Sequence, residues 1–187
     1  MIRFAKKEDA RAIAPLILVI LSDMELPFLQ KYGKEKTLKI LEEAITDPDY
    51  RYSYTRGIVA EWDDKIAGVA FGYIDEEEPT IDQSLATILK KYGIAESEQL
   101  FVDQETFPQE WYLDSISVSE EFRGRGIGSQ LLSSLPKLAE KSGRTVIGLS
   151  VDEQNPKAKK LYERHGFKVV GKRKISGHFY DHMQKKI

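Results

Sequence analysis

The strongest chemical bias in this 187-residue sequence lies in Val118-Ser119-Glu120-Glu121-Phe122-Arg123-Gly124-Arg125-Gly126-Ile127-Gly128. A strand-like run enters the segment and a helical stripe leaves it, with three glycines on alternate positions between them. Glycines there permit φ > 0 and let a ligand approach the backbone. The following helix start offers N–H groups with no intrahelical partner, at the positive end of the helix dipole. With Arg123 and Arg125 alongside, the segment predicts a phosphate-binding turn. A nucleoside-triphosphate P-loop requires Gly-Lys-Ser/Thr, and this loop has no lysine. Gly124 and Gly126 fit the first two positions of a dinucleotide fingerprint, and Asp152 could meet a ribose. Ser129, however, occupies the third glycine position, and the antiparallel strands upstream do not suit a doubly wound sheet.

Other residues offer less. Asn155-Pro156 is a good helix opening, an N-cap followed by proline at the first helical position, and a ligand contact by the same amide is compatible with it. Tyr162 follows Ala158 by one helical turn, a core position by spacing alone. His178, Tyr180 and His182 share one face of a final strand, but no third ligand accompanies them, so no metal is expected. The Glu76-Glu77-Glu78 run suits a solvated loop, with a cationic substrate as the sharper alternative. The sequence has no cysteine, which excludes disulfides, thiolate nucleophiles and thiolate-held metals. Lys plus Arg is 28 against 30 for Asp plus Glu, a net charge of -2 that argues against nucleic acid or a polybasic membrane surface. The apolar run Ala12–Leu21 is broken by Pro15, lacks a small-residue cleavage site and is too short to span a bilayer. It reads as the buried side of a first helix, and the chain is expected to be cytoplasmic.

The elements that must position these residues are set by periodicity. Met1 to Phe4 alternates as a short strand. Ala10, Ile13, Ile17, Ile20, Leu21 and Met24 recur at helical spacing, with Pro15 forcing a kink or late start and Pro27 ending the helix. Leu38, Leu41 and Ile45 mark a second helix, ended by Asp47-Pro48-Asp49. Gly57–Trp62 and Lys65–Ile74 form a hairpin across Asp63-Asp64. Leu85, Ile88, Leu89 and Tyr92 mark a helix closed by Gly93, and residues 95–109 are polar and irregular. Trp111–Val118 is a strand, and Ile127, Leu131, Leu132, Leu135 and Leu138 form a helix stripe. Thr145–Val151 is a buried strand, Asn155 to His165 a helix, and two strands end the chain. The order is β-α-α-β-β-α-β-α-β-α-β-β, one α/β domain over residues 1–187 with a mixed sheet.

Arg123-Gly124-Arg125-Gly126-Ile127-Gly128 resembles the Arg/Gln-x-x-Gly-x-Gly/Ala signature of the GCN5-related N-acetyltransferases, preceded by Leu113–Val118 in the place of that family's fourth strand. Asn155-Pro156-Lys157-Ala158 through Tyr162 to Gly166-Phe167 is similar to the family's Asn-x-x-Ala-x-x-x-Tyr-x-x-x-Gly-Phe element. The likeness covers nearly the whole chain; the helical and irregular insertion at about 80–109 departs from it. The resemblance implies a mixed, mostly antiparallel sheet flanked by helices and splayed between strands four and five. It implies acetyl-CoA as acetyl donor, a primary amine as acceptor and direct attack in a ternary complex. Backbone N–H groups of Arg123, Gly124, Arg125, Gly126, Ile127, Gly128 and Ser129 would cradle the pyrophosphate. Ile116 and Val118 would pair with the pantetheine arm, Asn155 would bond its amide, and Tyr162 would protonate the leaving thiolate. Glu110 matches in offset from Arg123 the base of the histone-modifying members. Asp114, which shares its strand face, and Glu25 are further base candidates. Paired chains are common in the family, so a homodimer is compatible. The alternative from another class is a non-catalytic acyl-CoA-binding module on the same fold.

Overall fold

The computed structural model describes residues 1–187. Its strands are β1 (Ile2–Phe4), β2 (Gly57–Trp62), β3 (Lys65–Ile74), β4 (Trp111–Val118), β5 (Val146–Asp152), β6 (Lys168–Ile175) and β7 (His178–Lys186). They form one seven-stranded sheet in the order β1-β2-β3-β4-β5-β7-β6. Every neighbouring pair is antiparallel except β4 with β5. The β2–β3 hairpin turns through Asp63 and Asp64, at φ 49 and 60, the left-handed pair that a two-residue turn needs to match strand twist.

The helices are α1 (Ala10–Asp23), α2 (Pro27–Tyr32), α3 (Lys34–Ile45), α4 (Leu85–Lys91), α5 (Ile127–Lys141) and α6 (Pro156–Arg164). Alternation along β2 divides the core between the two sheet faces: Val59 joins α1–α4, while Ile58 and Ala60 join the α5 side. The α5 stripe seats Leu131 and Leu135 with no exposure, and burying each such side chain contributes about 2 kcal/mol. None of the helices is long and apolar enough to cross a membrane.

Two expectations about prolines are corrected. Pro15 does not delay the start of α1, which begins at Ala10 and carries the proline on its exposed face. Pro27 does not end that helix, which stops at Asp23; it opens α2 at the first helical position, where a missing N–H costs nothing.

Two irregularities in β4 break the regularity of the sheet at its centre. Between Phe71 and Gly72 the β3–β4 register slips, so Phe71 faces Ser115, Gly72 faces Leu113, and Asp114 is the unopposed residue of a bulge. On its other side β4 pairs with β5 only at Trp111–Ile147, Tyr112–Gly148 and Leu113–Leu149. Beyond Leu113 the strands diverge, giving the splay between the fourth and fifth strands that the resemblance implies.

Candidate active site

The gap between β4 and β5 opens into a cavity of about 430 Å³. Ile116 lines it from β4, Ser150 and Asp152 from β5, Asn155 from the cap of α6, Ala158 and Tyr162 from its body, Ile20 from α1 and Met24 from just past its end. Glu105, Tyr112 and Asp114 also line it. Four of the predicted residues, Ile116, Asn155, Tyr162 and Asp114, therefore meet at one cavity.

The predicted phosphate turn follows Val118, beyond the splayed end of β4. Gly124 and Gly126 have φ 78 and 74, and a Cβ on either would meet nothing within 4 Å, so the backbone is bare there. Gly126 caps α5, and the first N–H to return to this loop is that of Gln130, on the Gly126 carbonyl at 3.1 Å. The N–H groups from Gly124 through Ser129 find no carbonyl acceptor in the loop. A Cβ on Gly128 would stand 3.9 Å from both Leu161 and Val118, so the turn, α6 and the end of β4 converge. The two arginines differ. Arg123 is exposed beside Glu120 at 3.4 Å, whereas Arg125 stacks its guanidinium over Trp62 at 5.4 Å and Phe122 at 5.5 Å.

Asn155 uses one end of its amide as the helix cap, Oδ1 accepting from the Ala158 N–H at 3.1 Å. Its Nδ2 makes no hydrogen bond within the protein, so capping leaves two donors at the cavity wall. The Tyr162 ring meets Phe167 edge-on at 6.1 Å, while its hydroxyl has no protein partner. Burial pushes that hydroxyl up to about 12.

Of the carboxylates, Glu110 is not at the cavity, a correction to its expected place. Its side chain is wholly buried at the opposite end of β4 and fills the space over Gly148, where a Cβ would overlap the carboxylate. Oε1 accepts from the Phe107 N–H at 2.8 Å; Oε2 lies 3.0 Å from His182 Nε2 and accepts from Gln184 Nε2 at 2.8 Å. His182 stacks on Phe107 at 3.8 Å, whereas His178 begins β7. There its two ring nitrogens lie 3.3 Å from Glu25 and 3.4 Å from Asp152. The two histidines thus have separate surroundings.

Asp114 borders the cavity with both oxygens engaged. Oδ1 accepts from Arg51 Nη1 at 2.6 Å and from the Tyr73 hydroxyl at 3.1 Å; Oδ2 accepts from Ser115 at 2.9 Å. Arg51 is 2% exposed and also binds Asp82 at 2.9 Å, with its guanidinium 4.1 Å from the Phe101 ring. It also lines a second groove of about 620 Å³, together with Asp82 and Glu98. Glu105, which spacing does not single out, completes the group. Its Oε2 accepts from the Tyr112 hydroxyl at 2.9 Å, and its Oε1 stands 3.9 Å from Arg51 Nη1. Burial, then the neighbouring Asp114 charge, raise its carboxyl from 4.5 to about 8 against the opposing pull of Arg51.

Known proteins share both the sequence pattern and this architecture. The family model described as Acetyltransferase (GNAT) family matches residues 19–167. A solved structure described as an acetyltransferase is 52% identical, with TM-score 0.91 over 100% of this chain and 99% of that one. An N-acetyltransferase from Staphylococcus aureus Mu50 is 30% identical, with TM-score 0.87 over 99% of this chain and 100% of that one. A paia N-acetyltransferase from Thermoplasma acidophilum, solved in complex with coenzyme A, shares the fold at 19% identity and TM-score 0.58, over 100% of this chain and 98% of that one. The match to curated acetyltransferases spans 42% or less of their length, at 33 to 38% identity. On the family model and the full-length structural matches, this chain belongs to the GNAT family of acetyltransferases.

Proposed function

We propose that the protein transfers an acetyl group from acetyl-CoA to a primary amine by direct attack, within one catalytic domain. The observation that carries this reading is the half-open sheet. Past Leu113, β4 has an unpaired edge facing the gap, with Tyr162 and the free amide of Asn155 on the opposite wall. An extended arm with amide groups can add to such an edge as a strand would. At the far end the open N–H groups of Gly124 to Ser129 suit a pyrophosphate, with exposed Arg123 adding charge. The bound donor supplies an activated acetyl thioester.

The chain's own residues supply alignment and protons. Ile116 and Val118 present backbone to the arm, and Asn155 Nδ2 donates to one of its carbonyls. Tyr162 stays protonated through neutral pH because burial holds its hydroxyl at about 12. It offers that proton to the thiolate that leaves; the same desolvation raises the thiolate's proton affinity. Asp114 holds Arg51 and Tyr73 and serves as a positioning residue.

The test is thiol release from acetyl-CoA over butylamine, spermidine, lysine peptides and amino sugars, with acetyl-CoA binding measured separately by calorimetry. Amine-dependent release with intersecting initial-velocity lines supports the reading, and ping-pong kinetics contradict direct attack. Binding without release on any amine identifies a non-catalytic acyl-CoA module. Tyr162→Phe is expected to lower kcat about 100-fold with little change in acetyl-CoA affinity; unchanged turnover removes the tyrosine from the chemistry.

A further inference from the structure

We infer that Glu105 is the catalytic residue that takes the proton from the acceptor amine, a role that rests on the acetyl-transfer reading above. Elimination among the acidic groups leads there first. Glu110 is sealed beneath β7, away from the cavity. Both oxygens of Asp114 are occupied by Arg51, Tyr73 and Ser115. Asp152 Oδ1 accepts from the Gln154 N–H at 2.8 Å and Oδ2 faces His178. Asp23, at the end of α1, and Glu25 just beyond it are both exposed, and Glu25 faces His178. Glu105 alone combines burial with a free lone-pair site: it is 5% exposed, Oε2 is anchored by Tyr112, and Oε1 makes no hydrogen bond while the residue lines the same cavity as Tyr162.

The groups around it explain why it suits the task. Tyr112 and Asp114 face it from β4, Tyr73 from β3, Arg51 from the segment after α3, and Tyr180 from β7. Glu78 accepts its backbone N–H at 2.7 Å. An alkylammonium of pKa about 10.4 outranks an ordinary glutamate of about 4.3 by roughly a millionfold in proton affinity. At about 8, Glu105 narrows that mismatch to a few hundredfold. A base this close to neutrality still ionises at working pH.

The protons balance. The ammonium gives one proton to Glu105 Oε1, the nitrogen lone pair forms the C–N bond, and the C–S bond breaks with its electron pair on sulfur. Tyr162 protonates that sulfur and is restored, through water, by the second proton leaving nitrogen. Glu105 returns its proton to solvent, so one proton is released per amide formed.

The experiment compares wild type, Glu105→Gln and Tyr112→Phe with butylamine, which is protonated at pH 7, and hydroxylamine, which is already neutral there. Glu105→Gln keeps the hydrogen bond from Tyr112. It is expected to bind acetyl-CoA normally, to lose about 100-fold or more in kcat/KM for butylamine, and largely to keep hydroxylamine turnover. The wild-type kcat/KM profile for butylamine should rise through pH 8 and lose that limb in Glu105→Gln. Tyr112→Phe removes a donor that favours the carboxylate, so its limb should move upward. Independently of activity, the Glu105 side-chain carboxyl carbon should titrate near pH 8 by NMR in the unliganded protein. Titration in the ordinary glutamate range, or equal loss on both nucleophiles, overturns the role while leaving acetyl transfer intact. Failure of the wild type to bind acetyl-CoA or to release thiol with any amine overturns the acetyl-transfer reading, and Glu105's role with it.

Discussion

Glu110 and Gly148 occupy one volume: the carboxylate lies where the Cβ of residue 148 would be. Gly148→Ala should therefore expel a buried carboxylate from its contacts with Phe107, His182 and Gln184. The cost should be about 3 kcal/mol or more, read as a lower urea midpoint. A Gly148→Ala midpoint equal to wild type would mean that the carboxylate relocates freely. Glu105 carries a pH signature of its own. Its folded value of about 8 exceeds the unfolded value of about 4.3. Between those values the native state holds the extra proton, so raising pH from about 5 to 8 removes stability, and above 8 the loss is complete. Relative to Glu105→Gln, wild-type urea midpoints should fall across that window; a rise would contradict the raised carboxyl. At this scale the sequence is partly legible. The positive-φ glycines before α5 and the Asn155 cap are readable because both are matters of local backbone geometry. Glu105 and Arg51 are not, because polar residues in irregular segments give no sign of burial. Glu110 is misplaced by its offset from Arg123, since that spacing carries no information about the glycine across the sheet.

Asn155 joins a helix to a cavity, and two substitutions separate its duties. Asn155→Ala removes the cap of α6 and should cost about 1 kcal/mol. Asn155→Ser keeps an acceptor for the Ala158 N–H and should retain most of that stability, yet lose the amide donors. Equal acetyl-CoA affinity in Asn155→Ser and wild type, by calorimetry, would leave Asn155 as a cap alone. The strands are readable almost to the residue: Gly57–Trp62, Lys65–Ile74 and Trp111–Val118 have the predicted limits. Their alternation and flanking turn residues are strong signals. Helix α2 is not legible in the same way, because a proline that cannot continue one helix is also well suited to begin the next. The bulge at Asp114 is equally invisible, since register depends on the partner strand and not on β4 itself.

Across the whole molecule, α1–α4 pack on one face of the sheet and α5 on the other, while the gap between β4 and β5 runs through its middle. A ligand that fills this gap binds the folded state only. Acetyl-CoA at 100 times its dissociation constant should stabilise the protein by about 2.7 kcal/mol, seen as a raised melting temperature. Gly126→Val, where φ is 74, should abolish the shift by straining the turn; an undiminished shift would move the anion site elsewhere. The fold class is legible from element order, whereas the division of the core between two faces emerges only once the strands are paired. The divergence of β4 from β5 has one more consequence. It creates an edge inside a sheet, where the bulge at Asp114 is one defence against unwanted strand pairing. The outer strand β6 carries Lys168, Lys172 and Lys174, which discourage another chain from docking. The inner edge lies in a slot lined from α1 and α6. A short extended amide matched to that slot is a natural starting point for an inhibitor.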